Sequence, residues 1–218
     1  MRLLCPPGVY RPQDDTLLLR DALRREPLPD GIAVLDLGTG SGVLALAAAE
    51  RGGAQVTAVD ASVGAVCTTW CNARLNGLRV RVLRGDLTEP VAGRRFGLVV
   101  ANPPYVPSPR AGLPRRGRTL AWDAGPEGRA LLDRICAEVP PMLAPGGVLL
   151  LVHSGLCGVE RTLIRLRRAG LRAVVTERRC VAFGPVLRRR ARWLESRGLI
   201  APGEEKEELV VVRGERER

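Results

Sequence analysis

Ala33-Val34-Leu35-Asp36-Leu37-Gly38-Thr39-Gly40-Ser41-Gly42 is the stretch on which the fold turns. Its first half is a short apolar run of strand length. Its second half places glycines at alternate positions, where a chain must turn sharply. An alanine-rich segment, 42–51, follows with helical spacing and ends in Gly52-Gly53. Strand, glycine turn and helix in that order form the first half of a βαβ unit. The pattern then repeats along the chain. Apolar runs at 33–37, 55–59, 79–83, 96–101, 147–152, 171–176 and 209–213 read as strands. Segments 16–25, 42–51, 62–75, 128–142 and 159–169 read as helices. Asp14-Asp15-Thr16 signals the start of the first helix and Asn76-Gly77 the end of the third. Alternation of this kind predicts an α/β fold with a mainly parallel sheet and helices on both faces. Ligands of such sheets bind beyond the carboxyl ends of the strands.

Four strand ends carry chemistry. At the first, Gly38, Thr39, Gly40 and Gly42 follow Asp36, letting a ligand approach the backbone closely. The spacing is G-x-G-x-G, not the dinucleotide G-x-G-x-x-G, whose third glycine would fall on Val43. A plain strand-to-helix turn would look the same. At the second, Asp60 can accept hydrogen bonds from both hydroxyls of a ribose, or belong to the cap of the next helix with Ser62. At the third, Asp86 can accept from an adenine amino group while Leu87 supplies apolar contact. Aspartate after glycine is also common in turns. Taken in series the three tips describe an adenosine-shaped pocket.

At the fourth end, Val99-Val100-Ala101 runs into Asn102-Pro103-Pro104-Tyr105. The Asn102 side-chain carbonyl and the Pro103 main-chain carbonyl can hold both hydrogens of a planar –NH2 group. Pro103 and Pro104 fix φ and stiffen the acceptors. Tyr105 adds a ring able to stack on a planar substrate. Amide and exocyclic amine nitrogens are poor nucleophiles because their lone pair is delocalised. Holding both hydrogens returns electron density to nitrogen and aims it, so positioning and electrostatics supply the rate. No histidine base is required, and His153 is the single histidine.

These residues resemble the Rossmann-like class I S-adenosylmethionine-dependent methyltransferases, whose sheet has seven strands. More narrowly they resemble the HemK-type protein-glutamine methyltransferases of translation release factors. Val9-Tyr10-Arg11-Pro12-Gln13-Asp14-Asp15-Thr16 is similar to the opening of that family. Asp36 to Gly42 is similar to its cofactor loop, and Asn102 to Tyr105 to its catalytic motif. Trp122-Asp123-Ala124-Gly125-Pro126-Glu127-Gly128 resembles the segment after its catalytic loop. Gln13 and Ala124 stand where glutamate and glycine are commoner. The resemblance implies S-adenosyl-L-methionine as cofactor, contacted by Thr16, Asp36, Gly38, Thr39, Gly40, Gly42, Asp60, Asp86 and Leu87. Asn102, Pro103, Pro104 and Tyr105 would form the catalytic set. Length predicts one domain over 1–218, with 1–30 as a segment covering the cofactor and 178–207 as an arginine-rich helical insertion before the last strand. The layout is closer to the short archaeal and eukaryotic branch, which lacks an N-terminal helical domain and works with a small zinc-containing activator subunit.

Composition narrows the alternatives. The 218 residues are 45% hydrophobic and 26% charged, which suits a folded domain. No apolar run approaches the ~20 residues of a membrane helix, and no signal-peptide core is present. A cytoplasmic protein with six free cysteines is expected. No C-x-x-C pair is present, and a metal site is not expected. The net charge is +11, and residues 151–200, with twelve arginines and three glutamates, carry +9 of it. Arg188, Arg189, Arg190 and Arg192 mark a helix ending near Gly198. That helix reads either as an RNA contact or as a solvated face. Glu204-Glu205 and Glu207-Glu208 are placed to pair with it locally. Alongside protein-glutamine methylation, an adenine or guanine amino group of RNA or DNA remains a substrate class, with Tyr105 stacking on a flipped base. A non-catalytic cofactor-binding module would have no use for Asn102 to Tyr105.

Overall fold

The computed structural model describes residues 1–112, 114 and 117–217. Leu113, Arg115 and Arg116, inside the long segment 103–126, lie outside the described residues, as does Arg218. Strand β1 (Ala33–Leu37) is flanked by β2 (Gln55–Asp60) and β4 (Phe96–Ala101), both parallel to it. Beyond β2 lies β3 (Val80–Arg84), and beyond β4 lies β5 (Leu143–Ser154), also parallel. The last two strands, β6 (Leu171–Ala182) and β7 (Lys206–Arg216), form an antiparallel hairpin. The seven-stranded order is β3-β2-β1-β4-β5-β7-β6. The central strands are apolar on both faces because helices cover both. Val34, Leu35, Leu37, Val99, Val100 and Leu149 are fully buried.

Helices α1 (Asp14–Arg25), α2 (Val43–Ala49) and α3 (Val63–Leu75) form one layer. Helices α4 (Ala130–Glu138) and α5 (Val159–Arg168) pair with each other. Successive residues of β7 separate the layers, since side chains alternate along a strand. Arg213 reaches Glu26, just past α1, whereas a Cβ on Gly214 would meet Leu166 of α5 at 3.6 Å. The α3 boundaries follow their local signals. Ser62 accepts from the Ala65 N–H, and Gly77, at φ 66°, lets Leu78 return a hydrogen bond to Ala73.

Two expectations are corrected. Helix α1 begins at Asp14, so Asp14 and Asp15 sit in its first turn, and Gln13 at the N-cap makes no side-chain capping bond, its amide donating instead to the Tyr10 hydroxyl at 3.2 Å. Strands β6 and β7 are about twice the expected length, continuing through Glu177-Arg178-Arg179 and Glu207-Glu208. The helix α6 (Pro185–Ser196) therefore occupies only the middle of the predicted 178–207 segment. Charged residues are tolerated there because β6 is an edge strand and its charges find partners on both faces: Arg25 with Glu177, Arg178 with Glu208.

Candidate active site

Parallel register gathers distant loops at one edge. Leu37 pairs with Val59 on one side and Ala101 on the other, so Gly38, Asp60 and Asn102 emerge together. Asp36, the buried start of the glycine turn, ties it shut. One carboxylate oxygen accepts from the Thr39 hydroxyl at 2.6 Å and from the Ala45 N–H at 3.0 Å. Burial pushes the Asp36 carboxyl up to about 7, against those two bonds, and its other oxygen has no partner. Gly38 and Gly40 take φ of 72° and 57°, and a Cβ on either would meet nothing closer than 3.8 Å. Gly42 is different in kind. A Cβ there would lie 2.9 Å from both Leu46 and Thr69, so this glycine serves the packing of α2 on α3.

Asp60 closes the second tip. It accepts from the Gly40 N–H at 2.9 Å and the Ser62 N–H at 2.8 Å, each on a different oxygen. Burial raises its carboxyl while these two bonds lower it. Asp86 is 58% exposed and both its oxygens lie 2.9 Å from one Arg134 nitrogen. Leu87 is buried at φ 45°, a left-handed backbone uncommon outside glycine.

At the fourth tip the Asn102 main-chain oxygen lies 3.8 Å from the position of a Cβ on Gly38. The Asn102 side-chain N–H donates to the Thr16 hydroxyl oxygen at 3.1 Å. Tyr105 is 8% exposed, and its hydroxyl donates to Asp15 at 2.9 Å. Tyr10 donates to the same Asp15 oxygen at 2.8 Å, and its Cβ lies 3.8 Å from the position of a Cβ on Gly40. Burial is the main reason both phenols are raised far above the ordinary range, so each remains a donor. His153 is buried and pushed down to about 4 by that burial, leaving it a neutral structural group.

Residues 4–112 match the Methyltransferase small domain family. A Methanocaldococcus jannaschii protein, named as a candidate protein N5-glutamine methyltransferase, is 33% identical over 183 residues. The match covers 84% of this chain and 91% of that protein. The chain belongs to the HemK-type methyltransferases. The release factor glutamine methyltransferases of Geobacter sulfurreducens and Bordetella pertussis are 38% and 39% identical. Those matches cover 75% and 79% of this methyltransferase, but only 59% and 66% of the bacterial proteins. Among solved structures, the E. cuniculi Mtq2-Trm112 complex, responsible for methylation of the termination factor eRF1, is similar at TM-score 0.65 and 25% identity. That match covers 96% of this chain and 99% of that one. A T. thermophilus 16S rRNA methyltransferase shares the fold at TM-score 0.62 and 24% identity, over 96% of this chain and 46% of its own.

S-adenosylmethionine is the cofactor of HemK-type methyltransferases, and the residues at this edge fit it. Gly38 and Gly40 put no side chain on the turn, so a ligand can approach its backbone, Asp60 offers a carboxylate beside it, and the buried Asp36 keeps an unpartnered oxygen. The segment after Tyr105 is anchored three ways. Val106 exchanges main-chain bonds with Trp122 and Ala124, and Ser108 donates to Gly125. Cys157, its thiol pushed up to about 12 by burial, donates to the Tyr105 carbonyl at 3.1 Å. Arg190 of α6 donates to the Pro107 carbonyl at 2.8 Å and contacts buried Asp123 at 2.6 Å.

Reading the sequence of this methyltransferase missed Asp15, Asp123 and Arg190 as site residues. Asp15 and Asp123 stood inside quoted motifs and Arg190 inside a run of arginines, which was their only signal. The expected local pairing of the C-terminal glutamates with the α6 arginines is corrected. Glu208 meets Arg178, Glu204 accepts from the Ala201 N–H, and Glu207 turns inward toward Ser154.

Proposed function

We propose that this methyltransferase moves the methyl group of S-adenosylmethionine onto the side-chain amide nitrogen of a glutamine in a translation release factor. The observation that carries this reading is Asn102-Pro103-Pro104-Tyr105 at the end of β4, beside the glycine turn. The names of its archaeal and bacterial relatives support the same reaction. Gly38, Thr39 and Gly40 form the floor under the cofactor, with Asp36 behind them. Asp60 takes the ribose hydroxyls, and Asp86 and Leu87 border the base. Gly42 acts through packing. Residues 1–30 cover the bound cofactor, a role supported by Tyr10 lying over Gly40 and by the pinning of Leu4 to Asn72 of α3 and of Arg2 to Asn76 just past its end.

The cofactor supplies an electrophilic methyl on a sulfonium. The chain supplies orientation. The Asn102 carbonyl and the Pro103 carbonyl accept the two amide hydrogens, restoring density to nitrogen as it attacks. The prolines keep those acceptors from reorganising during the reaction. Transfer leaves a neutral thioether behind and a surplus proton on the methylated nitrogen, which passes to water. The neutral, buried His153 takes no part in moving it.

A second chain is also proposed, as in the Mtq2-Trm112 complex. Met1, Leu3 and Leu4 beside α3, with Val63, Trp70 and Leu75 on it, are exposed apolar residues such a partner would cover. Arg188, Arg189 and Arg192 are exposed on α6 and would meet an anionic surface of the release factor or of RNA around it. The deciding experiment is transfer of tritiated methyl groups from S-adenosylmethionine to release factor, ribosomal RNA and DNA in parallel. Label on release factor, lost when the glutamine is replaced, is expected. Label on RNA alone overturns the reading.

A further inference from the structure

We propose that Thr16, polarised by Asp15, is a positioning residue that fixes which end of the Asn102 amide faces the substrate. The inference rests on the reading of Asn102 as the acceptor of a planar –NH2 group. An asparagine side chain has an acceptor end and a donor end of nearly the same shape. Turned the wrong way, Asn102 would present N–H to N–H, and the substrate would be repelled. Prolines at 103 and 104 restrain the backbone but not this side-chain rotation.

The structure shows what restrains it. Asp15 is 4% exposed and receives four donors. One oxygen takes the Thr16 N–H and the Thr16 hydroxyl, the latter at 3.1 Å. The other takes Tyr10 at 2.8 Å and Tyr105 at 2.9 Å. A carboxylate so occupied only accepts. The single hydroxyl proton of Thr16 is therefore committed to Asp15, and the Thr16 oxygen has only lone pairs left to offer. Lone pairs select the Asn102 N–H, found at 3.1 Å. The Asn102 carbonyl is left as the outward end. The direction of every bond in this chain follows from the one before it. The opening segment of the protein thus sets the polarity of a catalytic group 86 residues away. Thr16 is on this account spent inside the protein, which separates it from the cofactor role implied by resemblance.

Thr16→Val keeps the shape and removes the hydroxyl; Thr16→Ser restores it. For Thr16→Val a fall in kcat of about 100-fold is expected from misorientation of a reacting group, with the calorimetric Kd for S-adenosylmethionine unchanged. Thr16→Ser should recover most of the turnover. The comparison is run on whichever of release factor or RNA the wild type methylates. The same variants are read without substrate by NMR, following the Asn102 side-chain –NH2 signals, assigned by their loss in Asn102→Ala. Slow hydrogen exchange of one proton in wild type, lost in Thr16→Val and regained in Thr16→Ser, is expected. Wild-type turnover in Thr16→Val, a loss matched by weaker cofactor binding, or unaltered Asn102 exchange would each overturn the proposal. If wild type labels neither macromolecule, the proposed function fails while the NMR comparison still decides this inference.

Discussion

Asn102 and Asp60 divide the chemistry between rate and affinity. Asn102→Ala removes an acceptor that acts on the reacting nitrogen, so methyl transfer should fall by about 10²–10³-fold, the scale seen when one preorganised polar group is deleted. Cofactor affinity, measured by calorimetry, should stay at the wild-type value; equal turnover by mutant and wild type would remove Asn102 from its role. Asp60→Ala strips a charged acceptor from the ribose position and also frees the Gly40 N–H. A charge-assisted hydrogen bond is worth roughly 1.5–3 kcal/mol, so the cofactor Kd should rise about tenfold or more. An unchanged Kd would mean that another residue holds the ribose. Both residues were legible in the sequence because each follows its strand directly, and a strand end in a parallel sheet faces the ligand edge whatever the rest of the chain does. Asp15 was not legible as a hub. Nothing local separates it from Asp14, and its partners Tyr105 and Tyr10 are 90 and 5 residues away.

Helix α6 holds the loop that follows Tyr105. Phe183, Leu187, Leu194 and Ile200 form a small core of their own, with Val106 and Leu156 packed against it. Arg190 adds the polar fastening to Pro107 and Asp123. Arg190→Ala would strand a buried carboxylate, a loss of about 3–5 kcal/mol. A clear drop in Tm and in turnover is therefore expected. Arg192→Ala, exposed on the same helix, should leave stability within about 0.5 kcal/mol of wild type. Equal Tm for the two variants would show that α6 does not brace the loop. The sequence showed a run of arginines and could only treat them alike, as an RNA contact or as a solvated face. Helical rotation assigns them different ones: Arg190 is turned inward, while Arg188, Arg189 and Arg192 remain exposed. The β6–β7 hairpin was underestimated for a related reason. Its outer half is charged, and apolar alternation marks only strands with a buried face.

The molecule as a whole carries two acids, Asp36 buried and Glu207 half-buried, whose ionisation opposes folding. Glu207 is pushed up from 4.5 to about 7 by burial, and Asp36 from 3.8 to about 7. In each case the folded state binds the proton more tightly than the unfolded chain. Stability from these groups is therefore full below their unfolded pKa values and is lost as pH rises towards 7. Glu207→Gln removes one such group. Urea unfolding should find the variant equal to wild type below pH 4.5 and more stable above pH 7. The gain should be up to roughly 3 kcal/mol at about 1.4 kcal/mol per pKa unit. A difference that does not vary with pH would place the Glu207 carboxylate in a charged, compensated setting. The net charge of +11 belongs to this level too. Part of its C-terminal share is taken up in ion pairs, by Arg172 and Arg178 at the sheet edge and Arg190 against the catalytic loop, so it does not name the reaction.

The order of strands and helices, the glycine turn and the Asn102–Tyr105 tip could be read from the chain because each depends on neighbours a few positions apart. Period, turn chemistry and strand ends are local physics. The folded molecule alone settled which of two adjacent acids turns inward, Asp15 rather than Asp14 and Glu207 rather than Glu208, and which arginine grips the loop. Those outcomes depend on register and helical rotation, where a shift of one residue exchanges core for solvent. Partners such as Pro107 for Arg190 and Tyr105 for Asp15 lie 83 and 90 residues away. The polarity of the Asn102 amide is of the same kind, since it comes from Thr16 through packing that brings α1 to the end of β4.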